Sequence, residues 1–344
     1  MDQVLRVGVR CDVGVRRGVG HVMRSLALAE ELRGRGAEVV FVCDSPSVPW
    51  ADEQIRARGI AVEPAVWGAG EHVEMVRRLG LDAVVFDSYD LPGEVFSAVR
   101  GSGVPTLAIV DGELRGADAD VLVDQNLGAE FDRPVLPQGS VRLAGLEYVM
   151  LRDEVLASRP VEAPILRVGG VPRVFAFFGG TDAYGAGPYV VRALAATGVV
   201  FEATVVAPGD ELAEAIGAVQ LQPGQDVRVI GPTSELAKAV VESDLVVSAS
   251  GTSTWELLCL GATAGLVCVV DNQEMGYERA VATGAAAGVG TLASLKADVT
   301  EAAAVLRKLL TNPQERQQLA QAGWKLVDGQ GRARVADALL HLIS

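Results

Sequence analysis

The sequence is poor in the residues that mark a metal site, a disulfide framework or a nucleic-acid surface. It has three histidines and four cysteines in 344 residues, and no two cysteines stand at metal-ligand spacing. Three of the cysteines lie in apolar runs, so we interpret the cysteines as buried small hydrophobic residues of a reducing compartment. Basic residues are also scarce: 30 lysines and arginines oppose 44 acidic residues, a net charge of −14, which argues against a nucleic-acid partner.

Long apolar runs and targeting signals are missing as well. No run approaches the roughly 18 apolar residues that a membrane-spanning helix needs. The N-terminal sequence MDQVLRVGVRC lacks the apolar core and cleavage pattern of a signal peptide. We therefore predict a soluble, cytoplasmic protein without a membrane span. What the chain does have is 49% hydrophobic residues, over a length sufficient for two domains.

Short β-rich runs alternate with helical stretches, a pattern typical of parallel sheets flanked by helices. The first series of predicted strands covers 5–11, 38–44, 82–88, 105–111, 120–124 and 141–145. A second series covers 173–180, 201–208, 226–231, 244–251 and 265–271, and the residues after about 298 read as helical. Between them, 158–173 contains three prolines and two glycines and is interpreted as a linker. We predict an α/β protein of two doubly wound domains, 1–157 and 174–325, facing each other across a cleft.

The first predicted helix, from about His21 to Arg35, is amphipathic. Its apolar face is expected to carry Val22, Leu26, Ala29 and Leu32, and its opposite face Arg24 and Glu31. Gly34 and Gly36 then end the helix, as glycines at helix C-termini do.

In open α/β sheets ligands bind beyond the carboxyl ends of the strands, so the loops there are the candidate sites. The loop after the first strand contains Gly14, Gly18 and Gly20, which let backbone amides approach an anion at the helix N-terminus. It is not a dinucleotide fingerprint, because Met23 takes the third glycine's place, and no Walker A Gly-Lys-Ser/Thr follows. His21, at the start of the helix, is either a general base or a histidine that only caps or packs there.

Two further loops contain polar residues directly after a predicted strand. The cluster Asp-Ser-Tyr-Asp at 87–90 is either catalytic or ordinary turn and cap chemistry. The turn Phe-Gly-Gly-Thr-Asp at 178–182 suits a phosphate or a ribose, although such turns also occur without a ligand. Neither loop decides the function alone.

The loop SASGTSTWE at 248–256 is the most informative of the four. Its small hydroxyl residues and its glycine lie between a β-run and a helix, where amides and hydroxyls favour an anion such as a diphosphate. Glu256 is placed to accept both ribose hydroxyls; alternatively, Ser253 and Glu256 form a capping box for the helix itself. The triplet Asp-Asn-Gln at 271–273 ends the next strand and either orients a substrate or water or caps the following helix.

These segments resemble a known family, the UDP-sugar hydrolases of pseudaminic acid synthesis, which also includes proteins of spore-coat polysaccharide synthesis. Its hydrolases release UDP from UDP-2,4-diacetamido-2,4,6-trideoxy-β-L-altropyranose. The longest match is RCDVGVRRGVGHVMRSLALAEELRGRGAEVVFVCD at 10–44. Further matches follow in the family's order: DSYDLP (87–92), VLVDQNLG (121–128), YVMLRDE (148–154), FFGGTDA (177–183), SGTSTWELLCLG (250–261), VDNQ (270–273) and DGQGRARV (328–335). The opening segment together with SGTSTWE is specific, and the matches cover nearly the whole chain.

The family in turn resembles the GT-B glycosyltransferases, including the enzyme that adds N-acetylglucosamine to lipid I in peptidoglycan synthesis. That resemblance implies two Rossmann-like domains, the nucleotide held mainly by the second, and a last helix in 326–344 that packs back on the first. It implies no metal and no cofactor, with UDP entering as part of the substrate. The residues implied to hold UDP are Gly180, Thr181, Ser250, Gly251, Thr252, Ser253 and Glu256. Those implied around the anomeric carbon are His21, Tyr89 and Asn272, with further substrate contacts at Gly20, Arg24, Asp87 and Gln273.

The resemblance predicts a nucleotide-sugar hydrolase. His21 would accept a proton from water, the water would attack the anomeric carbon with inversion, and the diphosphate would leave into the loop 250–254. Two alternatives stay open: a GT-B glycosyltransferase with a small-molecule or glycan acceptor, and a non-catalytic nucleotide-sugar binding protein. Hydrolase and transferase differ only in whether water or a sugar-bearing hydroxyl reaches the anomeric carbon. Two segments depart from the family's pattern: the basic Val15-Arg16-Arg17, and Asp111-Gly112 where a pair of aspartates is expected.

Overall fold

The computed structural model describes residues 4–14, 20–165 and 167–343, which form two compact units. The first unit runs to Asp153 and resumes at Gly329, and the second runs from Glu154 to Asp328. Each unit is built on one sheet of parallel strands with helices between them, so the predicted α/β class with two doubly wound domains is confirmed. None of the helices in the described part of the chain combines the length and apolar character that crossing a bilayer requires.

The elements follow the predicted alternation. The strands are β1 (Arg6–Cys11), β2 (Glu38–Val42), β3 (Ala61–Glu63), β4 (Ala83–Asp87), β5 (Thr106–Ile109), β6 (Val121–Asp124), β7 (Val141–Ala144), β8 (Arg173–Phe177), β9 (Glu202–Val206), β10 (Asp226–Ile230), β11 (Leu245–Ala249), β12 (Ala264–Cys268) and β13 (Ala287–Thr291). The helices are α1 (Gly20–Gly34), α2 (Pro49–Ala57), α3 (Ala69–Leu79), α4 (Gly93–Gly101), α5 (Asp153–Ser158), α6 (Gly187–Ala196), α7 (Asp210–Gly217), α8 (Leu236–Val241), α9 (Ser253–Cys259), α10 (Glu274–Ala282), α11 (Leu292–Ala297), α12 (Thr300–Thr311), α13 (Pro313–Leu326) and α14 (Gly331–His341).

The strand order of each sheet creates one switch point. The first sheet has the order β3-β2-β1-β4-β5-β6-β7 and the second β10-β9-β8-β11-β12-β13. In the first sheet β2 and β3 lie on one side of β1, and β4 then pairs with the other side of β1. In the second sheet β9 and β10 lie on one side of β8, and β11 pairs with its other side. Loops leave such neighbouring strands in opposite directions and open a crevice at their carboxyl ends. The loops after β1, β4, β8 and β11 are therefore the positions where a ligand is expected.

Central strands were predictable because both of their faces are buried. All five residues of β4 are buried, and strands covered on both sides are near-continuous apolar runs. The sequence did not reveal β3, which has three residues with exposed or half-buried side chains, or β13, which contains two glycines. Neither has the apolar run or the strict alternation from which strands are predicted.

Helix α1 ends as predicted, but one of its faces was predicted wrongly. Gly36, with φ of +90°, makes a left-handed turn whose amides bond to the carbonyls of Arg33 and Leu32 at 3.0 and 3.1 Å. Arg24, expected on the outer face, is instead only 5% exposed. The reason is a pair of carboxylates that lie beneath the helix.

The last helix, α14, belongs to the first unit, where it packs on α1. It buries Val335 and Leu339 in the core between them, and Arg332 forms ion pairs with Glu30 at 3.2 Å and with Asp153 at 2.5 Å. Both apolar burial and charge pairing therefore hold this helix in place.

The segment 158–173 is attached to the second unit. Arg159 donates to the carbonyl of Trp324 at 2.9 Å and stacks on its ring at 4.4 Å. The Trp324 indole in turn donates to the carbonyl of Pro160 at 3.0 Å, and Gln317 donates to that of Pro164. These contacts join the Arg159–Pro164 part of the stretch to α13.

Gly331→Ala should destabilise the first unit by about 1–3 kcal/mol, because overpacking forces the backbone to move. A Cβ at Gly331 would stand 2.2 Å from the Val149 carbonyl oxygen. Thermal unfolding measures the loss, and Gly34→Ala is the matched control, since a Cβ there meets nothing within 4 Å. Equal unfolding midpoints for the two variants would contradict close docking of α14.

Candidate active site

The carboxyl edge of the first sheet holds a buried histidine–aspartate pair at the switch point. His21 is the second residue of α1, and Asp87 is the last residue of β4. His21 Nδ1 lies 2.5 Å from Asp87 Oδ1. Arg24 Nη2 is 3.2 Å from the same Nδ1, but a guanidinium only donates, so the shorter contact with the carboxylate assigns the proton to Nδ1. Nε2 then has the lone pair that a general base requires.

Arg24 lies between two carboxylates beneath α1. Its Nε donates to Asp87 Oδ2 at 2.7 Å, and its Nη1 donates to Asp111 Oδ1 at 2.9 Å. A buried guanidinium needs this pairing, because an unpaired charge away from water is strongly unfavourable. The structure thus places the predicted substrate contact Arg24 in an internal ion-pair network with Asp87.

The network keeps both carboxylates charged. Burial by itself would raise the pKa of Asp87, but the charges of Arg24 and His21 outweigh it, so the pKa lies below its ordinary value. Burial likewise acts to raise the pKa of Asp111, whereas the charge and hydrogen bond of Arg24 hold that pKa well below its usual range. A charged Asp87 stabilises His21 once the imidazole has accepted a proton.

Tyr89 packs against the histidine. The rings of Tyr89 and His21 meet edge to face, with centroids 4.5 Å apart and planes at 81°. The Tyr89 hydroxyl donates to Asp111 Oδ2. Burial, followed by the charge of Asp111, raises the pKa of Tyr89 well above its ordinary range, so the phenol stays protonated.

Three residues that were not among the predicted site residues complete this edge: Asp12, Asp111 and Asn126. Asp12 accepts hydrogen bonds from the Tyr89 amide and the Ser88 hydroxyl, both at 2.8 Å. Asn126 Nδ2 donates to Asp111 Oδ1 at 2.8 Å. Each of the three stands at or just after the end of a strand, which is the signal that could have identified them.

Gly112 accounts for one departure from the family's pattern. Its φ is +73°, in the left-handed region that favours glycine, and its amide donates to Asp124 Oδ2 at 3.1 Å. Gly112 therefore serves the turn after β5, and of the two positions only Asp111 contacts Arg24. Of the first loop, Gly14 and Gly20 are half-buried, with Gly20 beginning α1, whereas Gly18 and the basic 15–17 lie outside the described residues.

In the second unit, Gly180 and Thr181 lie exposed in the turn after β8. The next residue, Asp182, is buried with a φ of +38°, and its carboxylate accepts from the amides of Ala186 and Gly187 at 2.8 and 3.0 Å. Burial raises the pKa of Asp182 even though these amides act to lower it. A non-glycine residue in this conformation is strained, so its carboxylate bonds hold the turn in shape.

The loops after β11 and β12 are joined through one glutamine. Gln273 Oε1 accepts from the Ser250 hydroxyl at 3.3 Å and from the Val269 amide at 3.2 Å. Asn272 stands exposed in the same turn. The structure thus brings Ser250, Gln273 and Asn272 to one edge of the second sheet.

The capping box proposed for α9 does not form. The helix begins at Ser253, and its N-cap residue is Thr252, whose side chain makes no capping hydrogen bond. Gly251, Thr252 and Ser253 are half-buried, and Glu256 lies in the first turn. The hydroxyl groups of this loop therefore do not form the predicted capping box.

The chain is similar to curated proteins of glycan synthesis. The spore coat polysaccharide biosynthesis protein SpsG of Bacillus subtilis (strain 168) is 24% identical over 348 residues, spanning 98% of this chain and 98% of that protein. The UDP-N-acetylglucosamine--N-acetylmuramyl-(pentapeptide) pyrophosphoryl-undecaprenol N-acetylglucosamine transferase of Xanthomonas euvesicatoria pv. vesicatoria (strain 85-10) is 28% identical over 351 residues, spanning 94% of this chain and 78% of that enzyme. No protein-family model matches the chain.

Among solved structures, MurG of Acinetobacter baumannii superposes with a TM-score of 0.73 at 18% identity, covering 98% of this chain and 99% of that one. The prediction of a GT-B type fold with two Rossmann-like domains is thereby confirmed.

The prediction of a UDP-sugar hydrolase of pseudaminic acid synthesis is wrong. The relative whose name states its reaction is a transferase of N-acetylglucosamine, which favours the glycosyltransferase alternative. The physical reason for the error is that the motifs behind the hydrolase prediction surround the base and the nucleotide. Both reactions need a base and a leaving nucleotide, so these motifs do not distinguish water from an acceptor hydroxyl. The chain is similar to GT-B glycosyltransferases in both fold and sequence.

Proposed function

We propose that this protein is an inverting glycosyltransferase that moves a sugar from a UDP-activated donor to a hydroxyl group of an acceptor. The observation that carries the proposal is the pairing of His21 with Asp87, at 2.5 Å, at the switch point of the first sheet. A buried aspartate behind an imidazole fixes the tautomer and stabilises the imidazolium, as general-base catalysis on a hydroxyl requires.

The proposed step is a single displacement. His21 Nε2 accepts the proton of the acceptor hydroxyl while the oxygen forms a bond to the anomeric carbon. The bond from that carbon to the diphosphate oxygen breaks, and UDP leaves with the bonding electron pair. Attack opposite the leaving group inverts the configuration. Tyr89, whose ring contacts His21 and whose hydroxyl stays protonated, restricts the imidazole to one orientation.

The second unit is proposed to bind the nucleotide. The exposed Gly180 and Thr181 offer amides and a hydroxyl to a phosphate or ribose. The loop Ser250–Ser253 is proposed to stabilise the leaving diphosphate, and Glu256 to accept the ribose hydroxyls. Asn272 and Gln273 stand in the adjoining turn and are proposed to contact the sugar. The names of the curated relatives support a UDP-linked amino sugar as donor and a glycan or glycan precursor as acceptor.

The proposal is tested with radiolabelled UDP-N-acetylglucosamine and other UDP-, GDP-, CMP- and dTDP-sugars, each with and without a panel of hydroxyl acceptors. Chromatography separates a labelled glycoside from free sugar and from the donor. We expect a labelled product that requires an acceptor, with UDP released in equal amount. Nucleotide binding without transfer to any acceptor would instead support the non-catalytic binding protein.

Ser250→Ala should weaken UDP binding about 10-fold or more, because one hydrogen bond to a charged group contributes about 1.5–3 kcal/mol. Isothermal calorimetry measures the dissociation constant without requiring an acceptor. Thr283→Ala is the matched control, since that exposed hydroxyl only bonds to the carbonyl of Ala280 in α10. An unchanged dissociation constant in Ser250→Ala would remove this loop from the proposed diphosphate site.

A further inference from the structure

Arg115 stands in a strained turn at the edge that holds the histidine–aspartate pair. It follows β5, between two left-handed glycines, and its own φ is +51°. Arginine rarely adopts this region, because the Cβ approaches the backbone too closely. Apart from the strained Asp182 in the second unit, no other non-glycine residue in the described part of the chain has a positive φ.

The turn is fixed by backbone contacts, so the strain at Arg115 is maintained. The amide of Glu113 donates to the carbonyl of Asp111 at 2.9 Å, and that of Ala117 donates to Leu114 at 2.8 Å. Gly116 lies directly against Gly93, whose Cβ position is 2.9 Å from the Gly116 carbonyl oxygen. Strain of this kind is typical of sites where a side chain has to be held in one direction.

The strained turn brings the guanidinium over Tyr89. Arg115 Cζ lies 4.0 Å from the centroid of the Tyr89 ring, and the ring centroid is 4.5 Å from that of His21. Stacking on an aromatic face leaves the N–H groups at the edge of the guanidinium available for hydrogen bonds. A fixed cation therefore stands one aromatic ring away from the proposed base.

The charge of Arg115 is less compensated than that of its neighbours. Arg24 is held between two buried carboxylates, and Arg10 Nη1 lies 3.3 Å from Asp12. Within the described residues, the one carboxylate within 4.0 Å of Arg115 is that of Glu113, at 3.8 Å, too far for a hydrogen bond. The Arg115 side chain is 40% exposed and that of Glu113 is 83% exposed, so water screens this pair.

We propose that Arg115 binds an anionic group of the acceptor, a carboxylate or a phosphate, and so selects acidic acceptors. This inference rests on the proposed glycosyltransferase function and names its acceptor class. A chain with a net charge of −14 repels anions at a distance, so an acidic acceptor needs a local cation to bind. The guanidinium geometry matches both groups, because its forked N–H donors bind two oxygens at once. The acceptor is favoured over the donor because Arg115 stacks on Tyr89, whose ring contacts His21, and the proposed partner of His21 is the acceptor hydroxyl.

Chemical modification tests the anion site without turnover. Phenylglyoxal, which reacts with accessible arginines, is applied to the full chain, and the labelled peptides are quantified by mass spectrometry. Inorganic phosphate should protect Arg115 at least about 3-fold, whereas Arg56, with a 58% exposed side chain, serves as the unprotected control. Protection by UDP at concentrations where phosphate has no effect would assign the anion to the donor and overturn the proposal. Equal labelling of Arg115 in all conditions would overturn it as well.

Kinetics with matched acceptors tests the selectivity. Glucose, glucuronic acid and glucose 1-phosphate share one sugar ring and differ in charge. We expect wild type to prefer a charged member, and Arg115→Gln to raise its KM about 10-fold or more with kcat and UDP affinity little changed. Arg115→Lys should restore part of the effect, and Arg56→Gln none. Transfer with the same preference in Arg115→Gln would overturn this inference and leave the function standing. If wild type transfers no sugar to any acceptor, the function fails, while phenylglyoxal protection still decides whether Arg115 binds an anion.

Discussion

His21→Ala should lower kcat for sugar transfer by about 100-fold to 10,000-fold, the range that a general base contributes. The variant should fold normally, because Asp87 keeps its bonds to Arg24 at 2.6 and 2.7 Å and to Ser25 at 3.2 Å. KM for the donor and the dissociation constant of UDP should change little, since the nucleotide is proposed to bind the second unit. Steady-state transfer and calorimetry on the same preparation measure both quantities.

The matched control is His341→Ala, which removes an exposed histidine at the end of α14. Its kcat should equal that of wild type. A folded His21→Ala variant with near-normal kcat would exclude His21 as the base and, with it, the proposed mechanism.

Arg24→Met should destabilise the first unit by about 3–5 kcal/mol, because removing one partner leaves a buried charge uncompensated. Asp87 is fully buried, and Asp111 contacts the same guanidinium. Urea unfolding at neutral pH measures the loss. The affinity for UDP should persist if the second unit keeps its fold. Measuring it therefore distinguishes local destabilisation of the first unit from global unfolding.

The stability of Arg24→Met should change with pH in the opposite direction to the carboxylate contribution in wild type. In wild type the folded pKa values of Asp87 and Asp111 lie below the ordinary 3.8, so their contribution is present above that value and is lost as pH falls through the folded pKa. Without Arg24 the largest cause that lowers both pKa values is gone, whereas burial, which raises a carboxyl pKa, remains. The folded variant then binds more protons than the unfolded chain, so its stability should rise as pH falls from about 7 to 5.

The control for Arg24→Met is Arg33→Met, on the exposed side of the same helix. Its stability should stay within about 0.5 kcal/mol of wild type at every pH, as for most surface substitutions. If the stability of Arg24→Met does not rise as the pH falls from about 7 to 5, the buried network does not govern the folded pKa values.

The sequence by itself determined the α/β class, the two series of strands and the loops that carry polar residues. Local signals sufficed, because strands buried on both faces are apolar runs and glycine turns are specific in sequence. The positions of His21 and Asp87 at the ends of such segments followed from the same patterns. The strands β3 and β13 were not predicted, because short, half-exposed strands have no periodic signal in the sequence.

Only the tertiary structure decided that the face of α1 with Arg24 is buried. The carboxylates that pair with Arg24 lie 63 and 87 residues further along the chain. The same holds for the contact of Tyr89 with His21 and for Arg115 above Tyr89, which depend on strand order rather than on local pattern. A charged side chain is predicted to face water unless its partner is known, and that partner is set by the order of strands in the sheet. The physical reason is that charge pairing acts through space, whereas periodicity acts along the chain.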